Sequence, residues 1–191
     1  MKTIILASAS PRRRELLKQL GLKFTVEPSN CEERMDSRLE PHELAKALSL
    51  EKAKLVARRH RNALVIAADT FVVFEGRILG KPCSEAEARE MLETLNARPH
   101  SVITGFTIVD TDSGKVFSRA AETRVHLREL SSSELDAYVK SGEPLDKAGA
   151  YAIQGRGAAI VEKIEGDYFN VIGLPLSSLT EALKEFGVHI L

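Results

Sequence analysis

The chain has only two cysteines in 191 residues, Cys31 and Cys83. That is too few for a disulfide framework, and their spacing is not that of zinc ligands. No apolar run is long enough to read as a membrane-spanning helix. Net charge is also missing: Lys+Arg and Asp+Glu both number 27. A balanced chain offers no broad positive field for nucleic acid or acidic membranes, so any such field must be local. Repeats, low-complexity segments and long linkers are absent. The five histidines show no metal spacing, and neither H-E-x-x-H, G-x-S-x-G nor G-x-x-x-x-G-K-[ST] occurs. Gly155-Arg156-Gly157 fails as a dinucleotide fingerprint, because Ile160 stands where the third glycine belongs. The first residues imitate a signal peptide, with Lys2, a short apolar stretch and Ala7-Ser8-Ala9. The stretch is too short, however, and Arg12, Arg13 and Arg14 follow at once. A reduced, cytoplasmic setting is therefore expected, with neither nucleic acid nor membrane as partner.

What is present suits a globular domain. Hydrophobic residues make up 43% and charged residues 28%, and the length allows one domain with a sizeable core. The apolar run Ile4-Ile5-Leu6-Ala7 predicts a buried strand. A helix is expected over 11–20, with Ser10 as N-cap, Pro11 at the first helical position and Gly21 as the stop. Further strands are expected at 24–28, 64–68, 101–109, 115–119 and 122–128, and a hairpin of Phe71–Phe74 with Ile78-Leu79 turns around Glu75-Gly76. Helices are expected over 41–59, after Ser84-Glu85-Ala86-Glu87, after Ser131 and over 176–186. Two of these open with a Ser and a Glu at capping-box spacing. The stretch 142–173 reads as glycine-rich and strand-like. Strands and helices intermix, but several strands follow one another directly, which predicts an α/β fold with a mixed sheet flanked by helices.

The junction Ser8-Ala9-Ser10-Pro11-Arg12-Arg13-Arg14-Glu15 is the most informative segment. A helix start already carries positive dipole charge, so arginines in its first turn are unfavourable unless an anion sits there. Free backbone N–H groups and guanidinium forks together suit a phosphate. The plain alternative is a solvated basic turn, with one arginine paired to Glu15. Asp69 follows the apolar run 64–68, at what reads as a strand end, where a carboxylate can hold a divalent cation or activate a water; the plain alternative is a turn-forming aspartate. Leu44, Leu48, Lys52 and Val56 share one helix face. A lysine in such a stripe either snorkels to solvent or meets an anion, whereas Lys54 should face water. Lys81 lies in the tight Gly80-Lys81-Pro82 connection. Glu32, Glu33 and Asp36 form an acidic cluster that offers a metal ligand or a solvated loop. Gln154 follows the small-residue stretch Asp146–Ile153. Its amide offers a donor and an acceptor for a base edge; the alternative there is a bulged strand.

Together these motifs resemble the Maf proteins, also called septum formation proteins, which are nucleoside triphosphate pyrophosphatases. The resemblance runs through Leu6-Ala7-Ser8-Ala9-Ser10-Pro11-Arg12-Arg13, Glu32-Glu33, Glu51-Lys52-Ala53, Ala68-Asp69-Thr70, Gly80-Lys81-Pro82, Asp146–Gly155 and Gly173-Leu174-Pro175. It covers nearly the whole chain and implies a single domain over 1–191. The implied fold is an elongated mixed β-sheet flanked by helices, with two lobes around a cleft, similar to inosine triphosphate pyrophosphatases. The implied reaction is hydrolysis between the α and β phosphates, with Mg²⁺ or Mn²⁺ as cofactor. Asp69 would be the proton acceptor, Glu33 and Asp69 metal ligands, and Glu33, Lys52 and Lys81 catalytic supports. Ser8, Ser10, Arg12, Arg13, Thr70 and Gln154 would bind substrate.

Arg12, Thr70 and Gln154 resemble the branch acting on dTTP and UTP (S-P-R-R, A-D-T, I-Q-G) rather than the branch acting on 7-methyl-GTP (S-P-W-R, S-D-Q, S-E-G). They are the expected specificity positions, and modified pyrimidine nucleotides are further candidate substrates. A homodimer is common in the family. The alternative function is a nucleotide-binding regulator of cell division without essential turnover.

Overall fold

The computed structural model describes residues 2–29 and 38–191. It contains both parallel and antiparallel strand pairs and six α-helices among these residues, as expected for a mixed α/β fold. Strand β1 (Thr3–Leu6) pairs in parallel with β2 (Phe24–Val26) on one side and with β3 (Ala63–Phe74) on the other. Ile4, Ile5 and Leu6 are all buried, as suits a parallel strand covered on both faces. The hydrogen-bonded order continues through β5 (Pro99–Asp110), β6 (Val116–Leu127) and β7 (Val161–Glu165), while β4 (Arg77–Leu79) pairs antiparallel with β3. The β3–β4 hairpin turns on Glu75 and Gly76, both at positive φ, the twist-matched two-residue turn.

The chain divides into two compact units. One comprises residues 1–69, 104–121 and 173–191; the other comprises 70–103 and 122–172. In the first unit, helix α1 (Pro11–Gln19) follows β1, and helix α2 (Pro41–Ala57) precedes β3. Ile5, Ala7, Ala53, Val56, Ala63, Val65, Ala67 and Val109 form one of its apolar clusters. Helix α2 approaches β5 at backbone contact. A Cβ built on Gly105 would lie 2.1 Å from the Ala45 carbonyl oxygen and 2.2 Å from its carbon. Ser49 and Thr107 hydroxyls meet at 2.8 Å in the same interface, and Thr107 continues to Ser118 at 2.8 Å. Helix α6 (Leu176–Lys184) closes this unit, burying Leu176, Leu179, Ala182 and Leu183.

The second unit packs helices α3 (Glu85–Leu95) and α4 (Ser132–Lys140) around Val72, Phe74, Val102, Val125 and Leu127. Ser131 and Glu134 form the expected reciprocal capping box. At α3 the reciprocity is broken: Ser84 caps Glu87, but the Glu87 carboxylate takes the N–H of Cys83.

Three expectations change. The strand expected at 64–68 and the hairpin arm expected at Phe71–Phe74 are one strand, β3, because Asp69 and Thr70 continue the ladder between them; the pairing of the arm with β4 is as expected. The strands expected at 115–119 and 122–128 are one strand, β6, whose neighbours carry it through the poor strand formers Arg119–Glu122. The stretch 142–173 is not mainly strand. It holds three 3₁₀ turns (Glu143–Asp146, Ala148–Ala150 and Gly155–Ala159), the short strand β7, and helix α5 (Tyr168–Ile172). Its glycines serve left-handed turns instead, at Gly142, Gly149 and Gly155.

His100 is 3% exposed in the second unit. Its Nδ1 faces the Arg98 carbonyl at 3.3 Å, which can only accept, so Nδ1 carries the proton. Nε2 then accepts from the Tyr151 hydroxyl at 2.7 Å. Burial pushes the imidazole down to about 4, against a weaker upward pull from the Arg98 carbonyl. The unfolded chain thus binds a proton near pH 6.5 that the folded chain refuses until about pH 4. Stability from this site is complete above about pH 6.5 and falls by about 3 kcal/mol as pH drops to about 4. Urea midpoints across that window should show the slope, and His100→Gln, which cannot titrate, should lack it.

Gly105→Ala is expected to cost about 3 kcal/mol or more, because the clash is with backbone that no rotamer relieves. A thermal midpoint within a degree or two of the parent would contradict the backbone contact.

Candidate active site

Strand β1 stops at Leu6, opposite Ile66, while β3 continues. Ala7 still donates to the Ile66 carbonyl at 2.7 Å, and the chain then leaves the sheet at Ser8. Asp69 occupies β3 just beyond the carboxyl end of β1, the end of a parallel pair at which ligands of α/β sheets gather. Asp69 therefore lies in mid-strand rather than at the strand end that the sequence suggested.

Ser8, Ser10 and Arg13 form one bonded cluster at the start of α1. The Ser10 hydroxyl caps the helix, accepting from the Arg13 N–H at 3.4 Å. The buried Ser8 hydroxyl accepts from the Ser10 N–H and from Arg13 Nη1, each at 3.2 Å. Arg13 Nε donates to the Gly173 carbonyl at 2.7 Å. The guanidinium is thereby oriented by two protein acceptors, from either end of the sequence. A planar fork held in this way presents a fixed geometry that suits carboxylate or phosphate oxygens. Arg12 is half-buried, whereas Arg14 is exposed beside Glu15, with Nε 3.7 Å from its carboxylate. The solvated-turn alternative describes Arg14 and not Arg13.

Lys52 does not snorkel. It is 8% exposed, Asp69 is 5% exposed, and the two form a buried ion pair between α2 and β3. Leu44, Leu48 and Val56 are buried on the same helix, and Lys54 faces solvent as expected. Taking both charges from water costs several kcal/mol per ion, which their attraction offsets only in good geometry.

In the second unit, Thr70 is half-buried and follows Asp69 along β3, so the two side chains leave opposite faces of the sheet. Lys81 is exposed. Its connection is fixed to the 3₁₀ segment by the Gly149 N–H, which donates to the Gly80 carbonyl at 2.9 Å. Gln154 is exposed at the head of the Gly155–Ala159 turn. Glu33 and its acidic neighbours Glu32 and Asp36 lie outside the described residues. Two pockets of about 400 Å³ open in the second unit, and neither is lined by any candidate residue.

Sequence reasoning missed the Gly173 carbonyl as the partner of Arg13, and a separation of 160 positions leaves no local signal for it. It also missed the Tyr138–Glu143 pair beneath the Gln154 turn.

An oriented arginine at a capped helix start and a buried lysine–carboxylate pair, both at the carboxyl side of parallel strands, define an α/β protein with a candidate site for a phosphorylated anion. Comparison with known proteins then assigns the lineage: residues 3–186 match the model of the Maf-like protein family, and the chain belongs to that family. A relative from Moorella thermoacetica, named dTTP/UTP pyrophosphatase, is 53% identical over 190 residues, covering 100% of this chain and 98% of its own. A Methanosarcina barkeri protein of the same name is 53% identical, with coverage of 100% and 97%. A Bacillus cereus protein, also so named, is 46% identical, with coverage of 100% and 93%.

Removing the lysine takes its ion-pair partner from a buried carboxylate. Lys52→Met is expected to lower stability by about 3–5 kcal/mol. Adding Asp69→Asn to it should recover part of that loss, because both charges of the buried pair are then gone. Equal urea midpoints for Lys52→Met and the parent would show that the pair is not desolvated as described.

Proposed function

We propose that this chain is a nucleoside triphosphate pyrophosphatase that hydrolyses dTTP and UTP to the monophosphate and pyrophosphate. The buried Lys52–Asp69 pair carries the reading. Its desolvation makes it a weak source of stability, whereas its two charges suit an anhydride hydrolysis. The names of full-length relatives at 46% to 53% identity support the substrate class.

In this reading the triphosphate is held by the α1 N–H groups together with Arg12 and Arg13, whose charge opposes the phosphates. Asp69 takes a proton from the attacking water as its oxygen bonds to phosphorus. The bridging P–O bond of the α–β anhydride then breaks, and pyrophosphate leaves with the electron pair. Lys52 stabilises charge that builds on the phosphate oxygens. Lys81 takes the same supporting role, and Thr70 and Gln154 read the pyrimidine, on the strength of the family motifs they occupy.

The divalent cation belongs to the same reading. Mg²⁺ keeps several waters and is held by one or two carboxylates plus substrate phosphates. Asp69 is a donor of that kind, and no group of three or more His, Cys, Asp or Glu able to hold a metal occurs among the described residues. Asp69 and, by the family motif it occupies, Glu33 would be the cation's protein ligands beside the nucleotide phosphates. Bound there, it would neutralise and orient the triphosphate. A reducing, cytoplasmic setting suits the free, exposed thiol of Cys83. Among the described residues, no helix is long and apolar enough to cross a membrane.

Asp69→Asn, which keeps the shape and an acceptor for Lys52, should reduce pyrophosphate release from dTTP and UTP by about a hundredfold or more. Its circular dichroism should match the parent's. Undiminished turnover would remove Asp69 from the proton-accepting role. Saturable nucleotide binding by the parent chain without any product would favour the regulator that binds without turnover.

A further inference from the structure

The turn that carries Gln154 is held from beneath by a single carboxylate. Glu143 Oε2 accepts from the Arg156 N–H at 3.0 Å, and Oε1 accepts from the Gly157 N–H at 2.9 Å. The Tyr138 hydroxyl donates to Oε1 at 2.9 Å and in turn accepts the Ala152 N–H at 3.1 Å. The backbone is thus pinned on both sides of Gln154 by one Tyr–Glu pair. The glycines leave the turn no slack. Gly155 is left-handed at φ +63°, and a Cβ on it would meet Glu143 Oε2 at 2.6 Å. A Cβ on Gly157 would meet the Ala152 carbonyl oxygen at 2.0 Å and the Tyr138 hydroxyl at 2.8 Å. Burial alone would raise the Glu143 carboxyl, yet its bonds from Gly157, Arg156 and Tyr138 hold it below the usual carboxylate range.

Gln154 itself is exposed and makes no capping bond to the turn. Its amide supplies one acceptor and two donors. The hydrogen-bonding edge of uracil or thymine presents N3–H beside a carbonyl oxygen, and guanine presents N1–H beside O6. A glutamine amide satisfies either pattern equally. What separates them is distance, because a purine puts its edge further from the sugar. Selection for the smaller ring therefore depends on where the amide is held, and the clamp fixes that.

We propose that Glu143 is a specificity-determining positioning residue, setting the height of the Gln154 amide through the Gly155–Gly157 turn and so favouring pyrimidine over purine triphosphates. The inference rests on the reading of this protein as a nucleotide pyrophosphatase with Gln154 against the base.

The test compares kcat/KM for dTTP and dGTP in the parent, Glu143→Gln, Gln154→Ala and the double variant, with thermal midpoints measured alongside. A glutamine at 143 presents an amide N–H₂ to one of the two turn N–H groups and releases it. The dTTP/dGTP preference is expected to fall by about tenfold in Glu143→Gln, mainly through a higher KM for dTTP. The double variant should show no further loss of preference than Gln154→Ala alone, since both changes act through one amide. A purely structural role would lower the thermal midpoint and the turnover of both nucleotides together, leaving the ratio unchanged, and would overturn the proposal. A parent chain that hydrolyses nucleotides with no pyrimidine preference would overturn the proposal together with the dTTP/UTP reading. A parent preference that survives Glu143→Gln would overturn the proposal alone.

Discussion

The buried ion pair between Lys52 and Asp69 sets the terms for the first unit. Two opposite charges at 8% and 5% exposure hold together only if helix and strand stay in register. The register comes from contacts that leave no room to slide. Gly105 lets the α2 backbone lie against β5, and the Ser49–Thr107–Ser118 hydroxyl chain satisfies the polar groups of that interface. An apolar pair of the same volume would serve stability as well or better. The persistence of the ion pair is therefore not explained by stability, and the tight packing of α2 is what keeps its geometry reproducible.

The same logic of restraint governs the start of α1. Arginines at a helix N-terminus oppose the dipole, and a mobile arginine there would swing to solvent. Arg13 is prevented from doing so by the Ser8 hydroxyl on one side and the Gly173 carbonyl on the other. Orientation of a cation against its local electrostatic preference is a feature of sites awaiting an anion. In the second unit, restraint is supplied by backbone conformation: left-handed glycines and a carboxylate that gathers N–H groups fix the 3₁₀ turns where strand would otherwise be read.

These differences in origin explain what the sequence disclosed. Local rules found the Ser10 cap, the Ser131–Glu134 box and the helix face bearing Lys52, because each is decided within a few residues. Polarity alone split β3 in two, since Asp69 and Thr70 in an apolar run resemble a break between a central strand and the first arm of a hairpin. The segment 142–173 misled for a related reason. Glycine and small residues weaken any periodic signal, and its conformation is set by Glu143, Tyr138 and Gly80, which act from outside the turn they shape. Arg13 was legible as a candidate, but its bond to Gly173 was not, because only the closed chain brings position 173 beside position 13.

Three consecutive arginines show how far residue type falls short of role. Arg14 is exposed beside Glu15, an arrangement that adds little to stability and is screened by salt. Arg13 is fixed by two acceptors that together define its plane. Arg12, half-buried one residue earlier, lies on a different side of the helix start, since successive residues are rotated by about 100°. A charge count would treat them as one basic patch. Their surroundings divide them into a solvated neighbour, an oriented fork and a candidate contact of its own, and only a capped helix beginning at Pro11 distributes them in that way.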